Sequence, residues 1–302
     1  MLSGIIPAVV LPMNSSYEPE LDEYKKYLKW AASSGITGVA VNVDTGEGPS
    51  LTRQERVEVI RAAKEAAGNI KVIAGIVGSS TSTAVECARD AKEAGADAGL
   101  VFPNPVFLGE PLDPQLPFEY HRRISEDSGL DIILFQLQPA LGGFKYTKEA
   151  LERLTSLRRV VGIKEASFDA KVFLDTLNLF RSRAPNLSVL TGNDNFIFES
   201  FVLGADGALI GFGTPPAKQL VEMYSLVKKD RIKEAREIHI ELTPLVEAIF
   251  SPPVRNYRAR VKYALSELGI IDGKYTYVRP PLMGITQQEK DAIKLALKRI
   301  EV

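Results

Sequence analysis

Short runs of β-branched and aliphatic residues alternate with amphipathic stretches of helical length along most of this 302-residue chain. The apolar runs lie near residues 5–10, 38–42, 72–76, 99–102, 132–135, 160–164, 188–191 and 208–211. Each is apolar almost throughout, as expected of parallel strands covered on both faces. Between them, near 21–33, 52–67, 81–94, 114–128, 147–155, 170–182, 196–203 and 216–228, apolar residues recur three or four apart, as in Val57, Ile60, Ala63 and Ala67. That spacing predicts helices. Gly35, Gly95 and Gly204 punctuate helix ends, where a left-handed residue turns the chain back toward the sheet. An open, doubly wound sheet would want a glycine-rich loop opening a helix. The nearest candidate, Gly211-Phe212-Gly213-Thr214-Pro215-Pro216, has prolines where backbone donors are needed. Eight strand–helix units therefore point to a (β/α)8 TIM barrel over residues 1–228. Helical patterns near 231–250, 253–268 and 286–300, with loops at 251–252 and 277–284, predict a C-terminal helical extension over 229–302.

Composition narrows the function classes. Lysine and arginine number 37 against 38 aspartate and glutamate, a formal charge of -1. That balance carries no electrostatic footprint for nucleic acid or an anionic membrane. No apolar run approaches the roughly 18 residues of a spanning helix. The opening segment lacks a basic region and is interrupted by Pro7 and Pro12, so no signal peptide and a cytoplasmic location are expected. The single cysteine, Cys87, excludes an internal disulfide. With only His121 and His239 beside it, few soft metal ligands remain, and neither a metal nor a cofactor is expected. These three side chains fall on expected helices and read as packing or surface residues. Arg255, Arg258, Arg260 and Lys262 read as a solvated helix face or a subunit contact.

In such a barrel, side chains at the C-terminal ends of the strands face the site. The rule singles out Lys164, which ends the sixth apolar run in Gly162-Ile163-Lys164-Glu165. A lysine held in the barrel mouth loses hydration, its pKa falls, and the neutral amine becomes a nucleophile toward carbonyls. A lysine snorkelling to water or paired with Glu165 is the competing reading. After the second run, Val43-Asp44-Thr45-Gly46-Glu47 offers a tight loop at Gly46, with backbone N–H groups and the Thr45 hydroxyl to hold a carboxylate. An ordinary turn capped by Asp44 or Thr45 is the alternative.

These two motifs, with Gly4-Ile5-Ile6-Pro7-Ala8, Gly192-Asn193-Asp194, Gly204-Ala205-Asp206-Gly207 and Arg279-Pro280-Pro281-Leu282, give a chain that resembles the dihydrodipicolinate synthase and N-acetylneuraminate lyase superfamily of class I aldolases. The resemblance implies a Schiff base between Lys164 and a 2-oxo acid such as pyruvate, with the substrate carboxylate resting on the loop at Asp44 and Thr45. It also implies a homo-oligomer, a dimer or tetramer. The family's relay tyrosine at the end of the fifth strand is Phe135 here, and Leu141 stands where the synthase carries an arginine for its second substrate. Asp44 then becomes the expected acid–base residue, with Tyr146 as the alternate. Phe135, Gln136 and Gly211 join Thr45 and Gly46 as expected substrate contacts, and Asn193-Asp194 is a further candidate for the distal part of the substrate. The function expected is a Schiff-base-forming lyase, an aldolase or dehydratase, acting on pyruvate or a related 2-oxo or sugar acid. The alternatives are the lysine-biosynthetic synthase itself and a non-catalytic 2-oxo-acid-binding protein on the same scaffold.

Overall fold

The computed structural model describes residues 1–109 and 111–300. Its strands are β1 (Gly4–Pro7), β2 (Gly38–Val41), β3 (Lys71–Ile76), β4 (Ala98–Val101), β5 (Ile132–Leu137), β6 (Val160–Ala166), β7 (Ser188–Thr191) and β8 (Gly207–Ile210). Hydrogen-bonded neighbours run β1-β8-β7-β6-β5-β4-β3-β2, all in parallel. Between β1 and β2, Ala8 pairs with Ala40 and the Val9 N–H donates to the Ala40 carbonyl at 3.0 Å, closing the ring. A helix follows each strand: α1 (Leu21–Ala32), α2 (Arg53–Ala67), α3 (Thr81–Glu93), α4 (Gln115–Ser128), α5 (Lys148–Leu154), α6 (Ala170–Arg183), α7 (Ile197–Leu203) and α8 (Ala217–Lys228). The architecture is the expected (β/α)8 barrel.

Side-chain alternation along the strands divides the core in two. Ile6, Ala40, Ile73, Leu100, Ile133, Phe135, Leu190 and Leu209 fill the barrel interior, while a larger apolar layer lies between strands and helices. Because both faces of every strand are covered, the strands read as continuous apolar runs. The first run pairs as a strand only over Gly4–Pro7, because residues 8–10 continue past the end of the short β8.

A register shift between Ile132 and Ile133 places one extra residue in β6 opposite β5. A bulge of this kind exchanges the faces of everything beyond it. Past the shift, Phe135 pairs with Lys164 and Gln136 with Glu165. Phe135 and Lys164 therefore point into the barrel mouth, and Gln136 and Glu165 point outward.

The extension consists of α9 (Ile232–Phe250), α10 (Tyr257–Glu267) and α11 (Gln287–Leu297), with α9 against α7 and α8 and both later helices against α9. Arg260 and Lys262 correct the expectation of a solvated basic face, since both are fully buried, while Arg255 is exposed. Lys262 Nζ donates to Glu47 Oε1 at 2.7 Å, and both side chains are 0% exposed. Arg260 donates to Glu289 at 2.7 and 2.9 Å. Helical periodicity alone does not distinguish a solvated basic face from one whose charges are all paired inside. Among the described residues no helix is long and apolar enough to cross a membrane.

Candidate active site

Lys164 projects from the C-terminal half of β6 into a small cavity of ≈ 60 Å³ in the barrel mouth. Its ammonium nitrogen lies 4.5 Å from the centroid of the Phe135 ring. Burial lowers the Lys164 pKa to about 8, against the upward pull of Asp194 and then Asp44. Desolvation outweighs both carboxylates, and a minor neutral fraction becomes available near neutral pH. Glu165 is not its ion-pair partner. The Glu165 carboxylate is buried outside the barrel wall, accepting from Gln136 Nε2 (3.1 Å), the Ser167 N–H (3.0 Å) and Asn193 Nδ2 (2.8 Å). That burial raises its pKa.

Room for the lysine is made by Gly192, at the end of β7. A Cβ there would lie 2.6 Å from Lys164 Cε and 2.8 Å from Ala166 Cβ. Two residues on, Asp194 lines the same cavity and accepts the Phe212 N–H at 2.9 Å. Burial raises its pKa to about 6, with the Phe212 N–H and the Lys164 charge opposing that rise.

The loop after β2 supplies the opposite wall. Asn42 and Glu47, not Gly46, take the left-handed conformation, with φ of 55° and 58°. Gly46 is required for close approach, because a Cβ there would meet the Val9 carbonyl at 2.9 Å. Thr45 is buried, and its hydroxyl lies 3.1 Å from the hydroxyl of Tyr257 on α10. Tyr257 donates to Asp44 Oδ2 at 3.1 Å, so the Thr45 hydroxyl is left to donate to the phenol oxygen. Asp44 is also ion-paired with the Arg258 guanidinium, whose Nε donates to the Asp44 carbonyl at 2.7 Å. The Asp44 side chain is 49% exposed. A hydrogen-bonded chain thus runs from the cavity through a buried phenol to a carboxylate in contact with water. Phe250 stacks on Tyr257 (centroids 5.3 Å apart), and Gly211 lies beneath them, where a Cβ would meet Tyr257 Cε2 at 3.2 Å.

The fold therefore brings Lys164, Asp44, Thr45, Phe135 and Gly211 around one cavity, with Asp194, Tyr257 and Leu141 added. Gly46 shapes the loop without lining the cavity. Gln136 is placed elsewhere: its amide bonds Glu165 and Thr176, and its oxygen accepts the Tyr146 N–H at 3.0 Å. Tyr146 is also outside, packed on Phe144 and 3.3 Å from His121 Nε2. Burial lowers the His121 pKa to about 4, fitting a neutral packing residue. Tyr257 and Arg258 escaped sequence reading because no local pattern signals a contact across 212 residues. Gly192 did carry a signal, a glycine directly after a strand. Among the described residues, no group of three or more His, Cys, Asp or Glu side chains could hold a metal ion.

A second cavity of ≈ 530 Å³ adjoins this one, between the mouth and α8 and α9. Phe168, Asp194, Phe250 and Val254 line both.

The family model described as the dihydrodipicolinate synthetase family matches residues 1–300. A 4-hydroxy-tetrahydrodipicolinate synthase of Kosmotoga olearia is 30% identical over 299 residues, covering 99% of this chain and 98% of that one. The crystal structure of dihydrodipicolinate synthase from Thermotoga maritima superimposes with a TM-score of 0.89 at 27% identity, covering 99% and 98%. The chloride-inhibited dihydrodipicolinate synthase of Acinetobacter baumannii, complexed with pyruvate, gives 0.86 at 26% identity, covering 99% of each chain.

Proposed function

Since the chain belongs to the dihydrodipicolinate synthetase family of lyases, we propose that Lys164 forms a Schiff base with pyruvate or a related 2-oxo acid. The observation that carries this reading is a lysine at the end of a barrel strand, facing a small cavity in the barrel mouth, its pKa lowered to about 8 by burial. The neutral amine attacks the 2-oxo carbon, water leaves, and the resulting iminium draws electrons from the neighbouring carbon for bond making or breaking. The substrate carboxylate is assigned to the loop at Thr45. Proton transfer is assigned to the chain Thr45–Tyr257–Asp44, because Phe135 beside the lysine has no exchangeable proton. Tyr257 accepts a proton as it passes its own to Asp44, so no buried phenolate is required. Arg258, ion-paired with the Asp44 carboxylate and bonded to its main-chain carbonyl, fixes Asp44 in that position.

Borohydride reduction in the presence of pyruvate, followed by peptide mass analysis, tests the assignment. The adduct is expected on Lys164 alone and is expected to vanish in Lys164→Ala. An adduct on another lysine, or none with any of several 2-oxo acids, contradicts it.

A second reading is the synthase reaction of the relatives, favoured by their match over 99% of this chain. A coupled assay with pyruvate and aspartate semialdehyde decides. Little turnover is expected, since Leu141 lines the cavity without a charge for a second carboxylate. Assembly as a dimer or tetramer belongs to the same reading and is tested by sedimentation velocity.

A further inference from the structure

The cavity around Lys164, at ≈ 60 Å³, has room for little more than the reacting end of a substrate. The adjoining cavity of ≈ 530 Å³ falls within the range of small-molecule sites, roughly 300–1,000 Å³. Phe168, Asp194, Phe250 and Val254 form walls of both, so a chain extending from an imine on Lys164 past these residues enters the larger space. Its walls are mainly apolar, with Phe212 from the mouth, Met223 from α8, and Leu242 and Val246 from α9. Among the described residues, the charged lining side chains are two carboxylates, Asp194 and Glu247, and no lysine or arginine lines it. His239 also lines it. Its imidazole stacks on Phe198 and its Nε2 lies 3.9 Å from Glu199.

We infer that the larger cavity receives the carbonyl partner of the reaction, and that this partner is an uncharged aldehyde with an aryl or branched-alkyl substituent. The inference rests on the Schiff-base reading of Lys164 and extends it to substrate class. The predominance of apolar wall favours a hydrocarbon substituent over a polyhydroxylated one, because only the part of the lining that carries Gln138, Asn195, Thr243 and Ser251 offers uncharged partners to hydroxyls that have lost water. Glu247 and Asp194, the latter offset only by the imine-forming Lys164, disfavour an aldehyde that itself bears a carboxylate.

In the cleavage direction the substrate is a 4-substituted 4-hydroxy-2-oxo acid held as an iminium on Lys164. The C3–C4 bond breaks and its electron pair becomes the C2=C3 bond of an enamine, while the iminium π pair returns to Nζ. The C4 hydroxyl loses its proton to the Tyr257–Asp44 pair and becomes the aldehyde carbonyl. Protonation of the enamine at C3 and addition of water then release pyruvate and restore the amine. No other reactant is needed.

The test compares cleavage of three 4-hydroxy-2-oxo acids, bearing phenyl, dihydroxyethyl or carboxymethyl at C4, by the native protein and by Val246→Trp. Each sample is first checked for a borohydride-trapped pyruvate adduct on Lys164. Native protein is expected to favour the phenyl compound in kcat/KM by about tenfold or more, the discrimination typical of apolar pockets. Val246→Trp is expected to lose at least that preference while still forming the pyruvate adduct, which shows that the barrel is folded. Should Val246→Trp form no adduct, the near-isosteric Val246→Thr, which puts a hydroxyl into the apolar wall, is expected to lower the phenyl preference with the adduct intact. An adduct with preference for the hydroxylated or carboxylated substrate overturns the inference alone, as does an unchanged preference in a variant that forms the adduct. No adduct in native protein overturns the Schiff-base reading and this inference with it.

Discussion

In the proposed reaction three side chains divide the chemistry at the residue scale: Lys164 as nucleophile, Asp194 as the buried carboxylate nearest in effect, and Tyr257 as the proton carrier. Imine formation needs the neutral amine, so its rate is expected to rise with pH and level off above about 8. Asp194 pulls the Lys164 pKa upward, so Asp194→Asn is expected to move that profile toward lower pH. Measurement of adduct formation against pH checks both signs. Folding raises the Asp194 pKa from 3.8 to about 6. The fold therefore favours its protonated form, and the stability this adds is complete below pH 3.8 and lost as pH rises through about 6. Urea melts of native and Asp194→Asn protein across that window are expected to converge toward low pH and to separate above it, with the native protein the less stable. Tyr257→Phe retains the ring stacked on Phe250 but breaks the hydroxyl chain. A lost acid–base group typically costs about 100- to 10,000-fold. Solvent-deuterium exchange into the pyruvate methyl group is expected to fall within that range while borohydride trapping persists. Exchange at the native rate would return the proton-transfer role to Asp44 acting alone or to Asp194.

At the scale of elements, most of the site was readable from a single rule: strand ends face the mouth. That rule placed Lys164 at the end of β6 and Thr45 after β2. It failed for Gln136, because neighbours on a strand face opposite sides and Phe135 already points inward; the bulge, which no pattern in the apolar run reveals, shifts the facing along β6. The partner of Asp44 was unreadable for another reason. Tyr257 and Arg258 come from a helix beyond the barrel, and helical periodicity fixes a face without naming what it packs against. Gly192 shows what a strand-end glycine contributes. Gly192→Ala leaves β7 intact but places a methyl 2.6 Å from Lys164 Cε. Loss of the pyruvate adduct with a near-native melting temperature is the expected outcome. A preserved adduct would mean that the lysine reaches the substrate by another path.

The whole molecule is a barrel whose mouth is completed by its own C-terminal extension. Lys262 on α10 is buried against Glu47 of the β2 loop, and Glu47 also accepts the Arg279 N–H at 2.7 Å. The side chain of Arg279 in turn pairs with Glu55 on α2, holding that carboxyl down at about 2. Removing one partner of a buried pair strands the other, at a cost of about 3–5 kcal/mol. Lys262→Met is therefore expected to lower the unfolding free energy by that amount and to loosen the loop that carries Asp44 and Thr45. Replacing both, Lys262→Met with Glu47→Leu, is expected to recover stability in chemical denaturation but not the loop's position. The most direct measurement of the central claim is a crystal structure of the protein soaked in pyruvate. Continuous density from Lys164 Nζ to the 2-oxo carbon, with the carboxylate on the Thr45 loop, is the expected result. An unmodified Lys164 in a pyruvate-saturated crystal, or density joined to another lysine, would contradict it.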